Sequence, residues 1–462
     1  MLRLGAWQGT VSPAVYAIAA PALVLSQHAL AALAHRAAGH RLVMDAEFWL
    51  LPLRTLVRLD DIASWQAALA FAFGLAVAWA LAVLSFRRAA GSGGGYALAA
   101  LSVVPVAQIG AVALLAIRPA RDAAEPAEHA ALAPAADPAR AAGPAGRGLA
   151  TRAELGHLVQ GVLVGVAVVV LAVLVSAVTF GAYGWGLFVF TPFLVGLATA
   201  YLANRQAPLA RGRTIRLVLL ATALGGAALV AFALEGVFCI LLAAPLGALV
   251  AVAGGLVGRA AALARNRRGG PLAGVALLPA VFALEAAMPP AVPIATHETI
   301  VIEAPAPAVW RALTGDAPVA VPPGWVARVG LAYAVRGRIL SEGVGGVRLG
   351  EFSTGTARER ITAWEPDRRL AFEVLEQPAA MEEMSPYRRV HAPHVRGYFT
   401  TDAIGFELEP LPGGRTRLTA SASHVLRIDP VLYWAPLARW AVRQNTRRVL
   451  ADVSDKAAAA AP

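Results

Sequence analysis

The sequence predicts a multi-pass α-helical membrane domain followed by an α+β domain, in which a curved antiparallel sheet wraps a long C-terminal helix. The 462-residue chain is 58% hydrophobic with a mean hydropathy of +0.61, which exceeds the usual value for a soluble protein. Residues 1–293 are long apolar runs separated by loops that carry arginine. From Ile294 onward the chain shows strand-like alternation, charges of both signs and a closing amphipathic helix. A water-soluble module therefore follows a membrane anchor.

The membrane part contains runs of about 20 apolar residues, the length that crosses a bilayer as a helix. We place three spans in a domain at 1–118, a flexible Ala-, Pro- and Gly-rich loop at 119–153, and about five further spans at 154–293. Residues 43–58 are too short and too charged to span, and they predict an interfacial helix with Trp49 among the lipid headgroups. The predicted spans are 13–34, 65–86, 96–117, 157–179, 183–204, 215–235, 237–258 and 271–291.

The positive charge lies mostly in the membrane part, which contains 20 arginines and 11 acidic residues. Loops at 35–63, 118–153, 205–216 and 259–268 carry 17 arginines on one side of the eight-span arrangement, which makes that side cytoplasmic. Both termini and the soluble module are then extracytoplasmic. If 271–291 lies in the interface instead, because it contains Glu285, the module is cytoplasmic. No loop joins a basic cluster to stacking aromatics, so no nucleic acid is predicted as a partner.

Two features of the membrane part indicate its origin. Nearly all basic residues are arginine and alanine is abundant, as in proteins from GC-rich bacterial genomes. Ser85-Phe86-Arg87-Arg88, followed by Gly91-Ser92-Gly93 and a span with Pro105, resembles an uncharacterised family of bacterial inner-membrane proteins over residues 7–118. That family's arginine pair is usually assigned to the cytoplasm, which opposes the arginine count above. The expected location is the bacterial cytoplasmic membrane.

The soluble module reads as a strand, a helical region, six strands and a long helix. Thr299–Glu303 alternates like a strand, and Pro305 and Pro307 precede a helical face with Trp310. Pro412-Gly413-Gly414 predicts a hairpin between the last two strands. Asp429 is expected to cap a helix that Pro430 opens and that ends near Lys456. The predicted strands are 299–303, 333–342, 347–355, 357–364, 369–377, 398–410 and 415–427.

Three stretches of the module resemble the START-like helix-grip superfamily, of polyketide cyclase and lipid-transfer type (SRPBCC). They are the strand-to-helix opening Ile302–Leu313, the strand region Trp364–Phe372 and the hairpin Pro412–Leu418. The resemblance implies a helix-grip domain at 294–457, followed by a tail at 458–462. It also implies a hollow between the sheet and the last helix. It does not decide the activity, because this fold hosts both binders and enzymes.

Candidate chemistry is sparse in this sequence. Glu351 lies on a predicted central strand and is a weak candidate general acid or base, with an outward position or an arginine partner as the alternative. His391 and His394 lack a third ligand at metal spacing, so we predict no metal and no cofactor. Cys239 is a single cysteine and indicates a small buried residue. The candidate ligand-binding residues are Trp310, Trp325, Glu351, Tyr387, His391, His394, Tyr398, His424 and Trp434.

Three functions are compatible with these patterns. The first is a membrane protein whose helix-grip domain binds a hydrophobic small molecule or lipid at the membrane surface. The second is a cyclase- or hydrolase-type enzyme, which requires two convergent polar groups in the pocket. The third is a structural or regulatory envelope protein, which a filled grip would favour. The predicted partners are the bilayer and the apolar ligand. The sequence leaves enzyme activity and oligomeric state open.

Overall fold

The structure is a computed structural model that describes residues 9–59, 63–92, 94–120, 152–263, 271–386 and 395–460. Within these ranges, residues 9–291 form an all-helical part, here called the membrane half. Residues from Val292 onward form the C-terminal domain, which consists of one sheet and three helices. The two predicted parts are therefore present, and the change of pattern near Ile294 coincides with the start of the first strand.

Six described helices of the membrane half are long and apolar enough to cross a bilayer. Their starts follow local rules. α1, for example, begins with Pro13 after Ser12, whose hydroxyl accepts the Val15 amide at 3.3 Å. The helices of this half are α1 Pro13–Ala37, α2 Ala46–Leu50, α3 Ser64–Gly91, α4 Tyr96–Leu101, α5 Pro105–Ile117, α6 Arg152–Val173 (continued by a π-helical turn at Leu174–Thr179), α7 Thr191–Asn204 (preceded by one at Gly186–Phe190), α8 Arg211–Ala231, α9 Val237–Leu263 and α10 Leu278–Ala286.

The predicted third span at 96–117 is not one helix. It divides into α4 and α5, because Pro105 lacks the N–H that a continuous helix needs. The chain then turns back, since the guanidinium of Arg88 at the end of α3 donates to the carbonyl of Arg118 just after α5. A side chain on Gly95, just before α4, would also lie 3.3 Å from Arg118. The α4–α5 hairpin therefore enters and leaves at the same end of the membrane half.

The last predicted span, 271–291, is also shorter than expected. A 3₁₀ turn at Pro271–Leu277 leads into α10, which ends at Ala286. The buried Glu285 carboxylate of α10 accepts the Gly186 amide at 2.8 Å. This contact brings the end of α10 to the turn between α6 and α7, next to the C-terminal domain.

Close helix packing in the membrane half uses glycine at Gly225, Gly254 and Gly258. A Cβ at Gly254 or Gly258 would overlap a backbone carbonyl oxygen of α7. A Cβ at Gly225 would lie 2.8 Å from Val169 of α6. Small residues let helix backbones approach where no hydrophobic effect drives association.

The segment predicted as an interfacial helix packs partly against protein. It forms α2 and a 3₁₀ helix at Pro52–Arg58, and Leu53 and Leu56 are 5% and 2% exposed. The segment folds back along α1, where the His28 ring hydrogen-bonds the Trp49 carbonyl at 3.0 Å. Val43, Met44 and Trp49 remain 65%, 66% and 47% exposed. The first part of the segment is thus accessible, whereas residues 51–57 face protein.

The C-terminal domain is a seven-stranded antiparallel sheet in the order β1-β7-β6-β5-β4-β3-β2. The predicted hairpin joins the last two strands, where Gly413 and Gly414 have φ of 81° and 73°, values that glycine adopts without strain. The strands are β1 Val292–Ile302, β2 Ala334–Ile339, β3 Val347–Phe352, β4 Gly355–Glu365, β5 Arg369–Glu376, β6 Phe399–Leu411 and β7 Arg415–Leu426; the helices are α11 Ala306–Thr314, α12 Trp325–Arg328 and α13 Val431–Ala459.

The 29-residue α13 lies against the concave side of the curled sheet, as the helix-grip resemblance implies. Its far part supplies Leu450, Val453 and Ala457 to a core shared with strands and α11. α13 begins one residue later than predicted, at Val431, so Pro430 rather than Asp429 occupies the N-cap position; the Asp429 carboxylate, one residue earlier, accepts the Val431 amide at 3.1 Å.

The two parts share a second core at their junction. Val431, Leu432 and Ala435 at the start of α13 are at most 4% exposed and belong to the same cluster as Phe48 and Phe190. A buried ion pair between Arg54 and Asp429 crosses the same junction. The start of α13 is therefore packed as an internal element of the whole chain.

Candidate functional site

A cavity of about 1100 Å³ runs from the interior of the C-terminal domain into the membrane half. Ligand pockets of drug-sized molecules occupy about 300–1000 Å³, so this space is large enough for such a molecule. The space between the sheet and α13 is hollow, so this chain lacks the filled grip that would favour a structural role. Both Trp434 and Leu437 of α13 line the cavity, so the helix presents them to the interior.

The part inside the C-terminal domain is lined by the concave face of the sheet and by α13. Alternate strand residues point inward, because successive side chains of a strand face opposite sides. Most of them are apolar, and the lining includes Phe352, Phe372, Val374, Ile404, Ala422, Leu437, Ala441 and Val449.

The part inside the membrane half lies among α6, α7, α8 and α9. Its lining follows helical spacing on α8, so that helix presents one face to the cavity, whereas α9 contributes residues from most of its circumference between Phe238 and Ala248. This lining is also mostly apolar, and includes Val169, Leu187, Leu219, Ala223, Gly226 and Ala244.

One ion pair faces the cavity from the sheet. Arg348 of β3 pairs with Glu359 of β4, whose side chain is 1% exposed. The guanidinium also lies over the Phe372 ring, 4.4 Å from its centroid. Burial raises the pKa of the Glu359 carboxyl, and the adjacent Arg348 opposes that rise.

Two glycines provide the space for this pair. A Cβ at Gly337 would overlap the Arg348 guanidinium, and one at Gly350 would lie 2.9 Å from the Glu359 carboxylate. Glycine at these strand positions allows two long charged side chains to lie across the inner face. The sheet is thus shaped around a polar group inside a mostly apolar hollow.

His424 of β7 is a second polar group on the lining. It is 4% exposed, its Nδ1 hydrogen-bonds the Thr401 hydroxyl at 3.0 Å, and its ring stacks on Phe399 with centroids 5.0 Å apart. Burial lowers the pKa of the imidazole from 6.5 to about 4. At neutral pH the ring is uncharged and presents both a donor and an acceptor.

A polar cluster lies where the domain meets the membrane half. The Tyr183 hydroxyl donates to Glu235 at 2.9 Å, and the Cys239 thiol donates to Glu383 at 2.6 Å. The potential metal-ligand atoms of Glu235, Cys239 and Glu383 all lie within 4.8 Å of one another. The short thiol–carboxylate contact is a hydrogen bond, so this arrangement holds a proton between the two groups.

The structure brings four of the predicted ligand residues to the cavity: Trp325, Glu351, His424 and Trp434. Glu351 takes the alternative role considered above, since it forms ion pairs with Arg336 at 3.7 Å and Arg338 at 3.5 Å. Trp325 is 60% exposed and packs on Trp440 with ring centroids 5.7 Å apart.

Two predicted residues lie elsewhere. Trp310 is 8% exposed in the core and packs edge-on against Trp364, 5.2 Å between centroids. Tyr398 donates its hydroxyl to the Gly181 carbonyl and so joins the domain to the turn after α6. Tyr387, His391 and His394 lie outside the described residues.

Sequence reasoning missed the inward ion pair and the whole membrane part of the lining. A signal for the pair was present. Arg348 and Glu359 occupy inward positions of adjacent strands, and glycines stand at the neighbouring inward positions. The helix residues carry no such signal, because an apolar residue facing a cavity and one facing lipid look alike in sequence.

No family model matches this chain, including the part that resembles a bacterial inner-membrane family, and no curated protein matches it either. Solved structures resemble about a third of it. An aromatase/cyclase from Streptomyces sp. R1128 shares 19% identity over 36% of this chain and 93% of its own, with a TM-score of 0.24. Norcoclaurine synthase from Thalictrum flavum shares 12% identity over 36% and 93%, with a TM-score of 0.21. At these values nothing about activity transfers to this chain.

Proposed function

We propose that this chain is a bacterial inner-membrane protein whose C-terminal helix-grip domain binds a hydrophobic small molecule or lipid at the membrane surface. The observation that carries the proposal is the cavity of about 1100 Å³, lined mostly by apolar side chains from both the sheet and the membrane helices. Burial of apolar ligand surface is the main driving force for such binding. A cavity shared by both parts favours a ligand that reaches the domain from the bilayer.

We further propose that the C-terminal domain is extracytoplasmic. With α4–α5 as a hairpin, the far end of the membrane half has nine described arginines and the end next to the domain has four. Two of those four are paired, Arg54 with Asp429 and Arg58 with Glu47. The arginine-rich far end is then cytoplasmic. Its arginines are Arg87, Arg88, Arg118, Arg152, Arg205, Arg211, Arg213, Arg216 and Arg259.

Native mass spectrometry of the full chain, extracted in mild detergent, tests ligand binding. We expect the wild type to retain an apolar molecule from its membrane. The Ala422→Trp variant fills the cavity from β7 and should lower occupancy about tenfold, which corresponds to about 1.4 kcal/mol of binding free energy. Ser423→Trp is the matched control, because Ser423 is exposed on the opposite face of the same strand.

An apo mass for the wild type, together with no binding of fluorescent lipids, would contradict the proposal. Equal occupancy in the two tryptophan variants would show that the bound molecule lies outside the cavity.

The second candidate is an enzyme of cyclase or hydrolase type. The observation that favours it is that Glu359, Arg348 and His424 all line the same cavity. A buried carboxyl with a raised pKa is suited to proton transfer. Under this alternative, Glu359→Gln would abolish turnover of the bound molecule and leave its binding intact, whereas a carrier would release the molecule unchanged.

A further inference from the structure

The membrane part of the cavity opens sideways between α8 and α9. Leu219 and Ala223 of α8 and Ala244 of α9 line the cavity and are exposed. The neighbouring Leu220 and Leu224 of α8 are exposed without lining the cavity, so the lining face of α8 borders its outer face. One turn further along α8 the two helices lie closer together, since a Cβ at Gly226 would be 3.1 Å from the Ile240 side chain of α9.

The position of this opening determines what surrounds it. α8 and α9 are both long enough and apolar enough to cross a bilayer, so the residues at mid-helix face hydrocarbon. From Leu219 to Leu229 the lining face of α8 extends about 15 Å at 1.5 Å per residue. That is about half the thickness of the hydrocarbon core, and therefore the depth of one leaflet.

Polarity changes along the cavity from this opening to the domain. The opening is lined by Leu219, Ala223 and Ala244, whereas the junction has Glu235 and the Tyr183 hydroxyl. Beyond the junction lie His424 and the inward pair formed by Arg348 and Glu359. An apolar groove at hydrocarbon depth that continues into a hollow with polar groups matches a molecule with an apolar chain and a polar head.

We propose that the ligand is a chain-bearing amphiphile of the bilayer, which enters sideways between α8 and α9 and places its head in the C-terminal domain. This inference rests on the proposed function and adds the ligand class and its route. The apolar chain of the amphiphile remains in the groove between the helices, so transfer from the bilayer does not expose this apolar chain to water. Hydrogen-bonding groups at the junction and on the sheet replace the water that the head loses.

Photo-crosslinking of the wild-type chain tests the route directly. The chain is reconstituted in vesicles of phosphatidylcholine that contain a small fraction with a diazirine on the acyl chain. We expect adducts on the cavity-lining residues Ala223 and Ala244, because the acyl chain occupies the groove between α8 and α9. Adducts on α8 and α9 only at outward residues such as Leu220 and Leu224 would overturn the inference.

Blocked variants test the same route by kinetics. In the double variant Ala223→Trp/Ala244→Trp both substitutions fill the opening, whereas Leu224→Trp/Leu241→Trp places the same bulk on exposed residues outside the lining. We expect loading from vesicles to slow by about tenfold or more in the first variant, because a plug changes the rate of access more than the bound state. Equal loading rates in the two variants would overturn the route.

The same lipid delivered in detergent separates the two levels of the proposal. If the wild type loads from both formats, and the blocked variant falls behind the control by a larger factor from vesicles than from detergent, both the route and the binding function are supported. If the wild type binds lipid from detergent but never from vesicles, the sideways route is wrong and the binding function stands. If the wild type binds in neither format, the proposed function fails first.

Discussion

The buried His424 makes the stability of the folded chain depend on pH. The pKa of its imidazole is about 4 in the folded chain and 6.5 when exposed, so the unfolded chain takes up the proton first as the pH falls. The unfolding free energy therefore does not depend on this group above about pH 6.5, and it falls between pH 6.5 and about 4 as the unfolded chain binds the proton. A shift of this size corresponds to about 3 kcal/mol of unfolding free energy.

Unfolding of the detergent-solubilised chain, followed by tryptophan fluorescence between about pH 7 and pH 4, measures this loss. His424→Gln keeps a hydrogen-bonding group without the titration, so its stability should fall less over that range. His297→Gln, at an exposed position of β1, should retain the wild-type dependence. If the unfolding free energy of His424→Gln falls with pH as steeply as that of the wild type, His424 is not the group responsible for the loss.

The crossing of α7 and α9 has no space for a side chain at Gly254. A methyl group there would overlap the Phe193 carbonyl oxygen, which cannot move without displacing the α7 backbone. We expect Gly254→Ala to lower the unfolding free energy by about 1–3 kcal/mol, the usual cost of overpacking. Titration with sodium dodecyl sulfate in mixed micelles measures the difference.

Gly247 of the same helix is the control for this crossing. A Cβ there would meet only Pro192, at 3.9 Å, so Gly247→Ala should unfold like the wild type. If both alanine variants unfold at the same detergent fraction, α7 and α9 are not held by this contact.

The strands of the C-terminal domain were predictable because their signals are local. Alternation, the Pro412–Gly414 turn and the proline-opened helices each occupy a few consecutive residues, and the observed strands follow them, except that β1 begins at Val292 rather than at the predicted residue 299. The α4–α5 hairpin was not predictable from hydropathy, because residues 96–117 are apolar throughout whether or not they cross the bilayer. The burial of residues 51–57 was not predictable either, because the charges of this segment suggest water, although two of its arginines are paired with carboxylates.

The candidate site was predictable only in part. The hollow follows from a sheet curling around a helix, but its lining is assembled from residues between Val169 and Lys456. Residues so distant in sequence are brought together by packing, which no single window of sequence records. Residues chosen for their chemistry alone, such as Trp310, therefore include core residues.

The topology of the whole chain can be tested with single cysteines. In a Cys239→Ala background, we expect His297→Cys to react with an impermeant maleimide in intact cells, because the proposed orientation places the domain outside the cytoplasm. Ser92→Cys and Ala120→Cys flank the hairpin and should react only after permeabilisation. A hairpin returns both flanks to one side, whereas a single span would place them on opposite sides.

Opposite labelling of Ser92→Cys and Ala120→Cys would show that 96–117 crosses the bilayer. Labelling of both in intact cells, with His297→Cys protected, would keep the hairpin but invert the orientation. The expected pattern places the amino terminus in the cytoplasm, unlike the eight-span prediction, in which both termini are outside.

The packing of the start of α13 against the membrane half has a practical consequence. A fragment excised at Ile294 would expose Val431, Leu432 and Ala435 to water and leave Asp429 without Arg54. Exposed apolar helix faces promote aggregation. Biochemical work on the ligand therefore calls for the intact polypeptide, even though the hollow belongs largely to its last third.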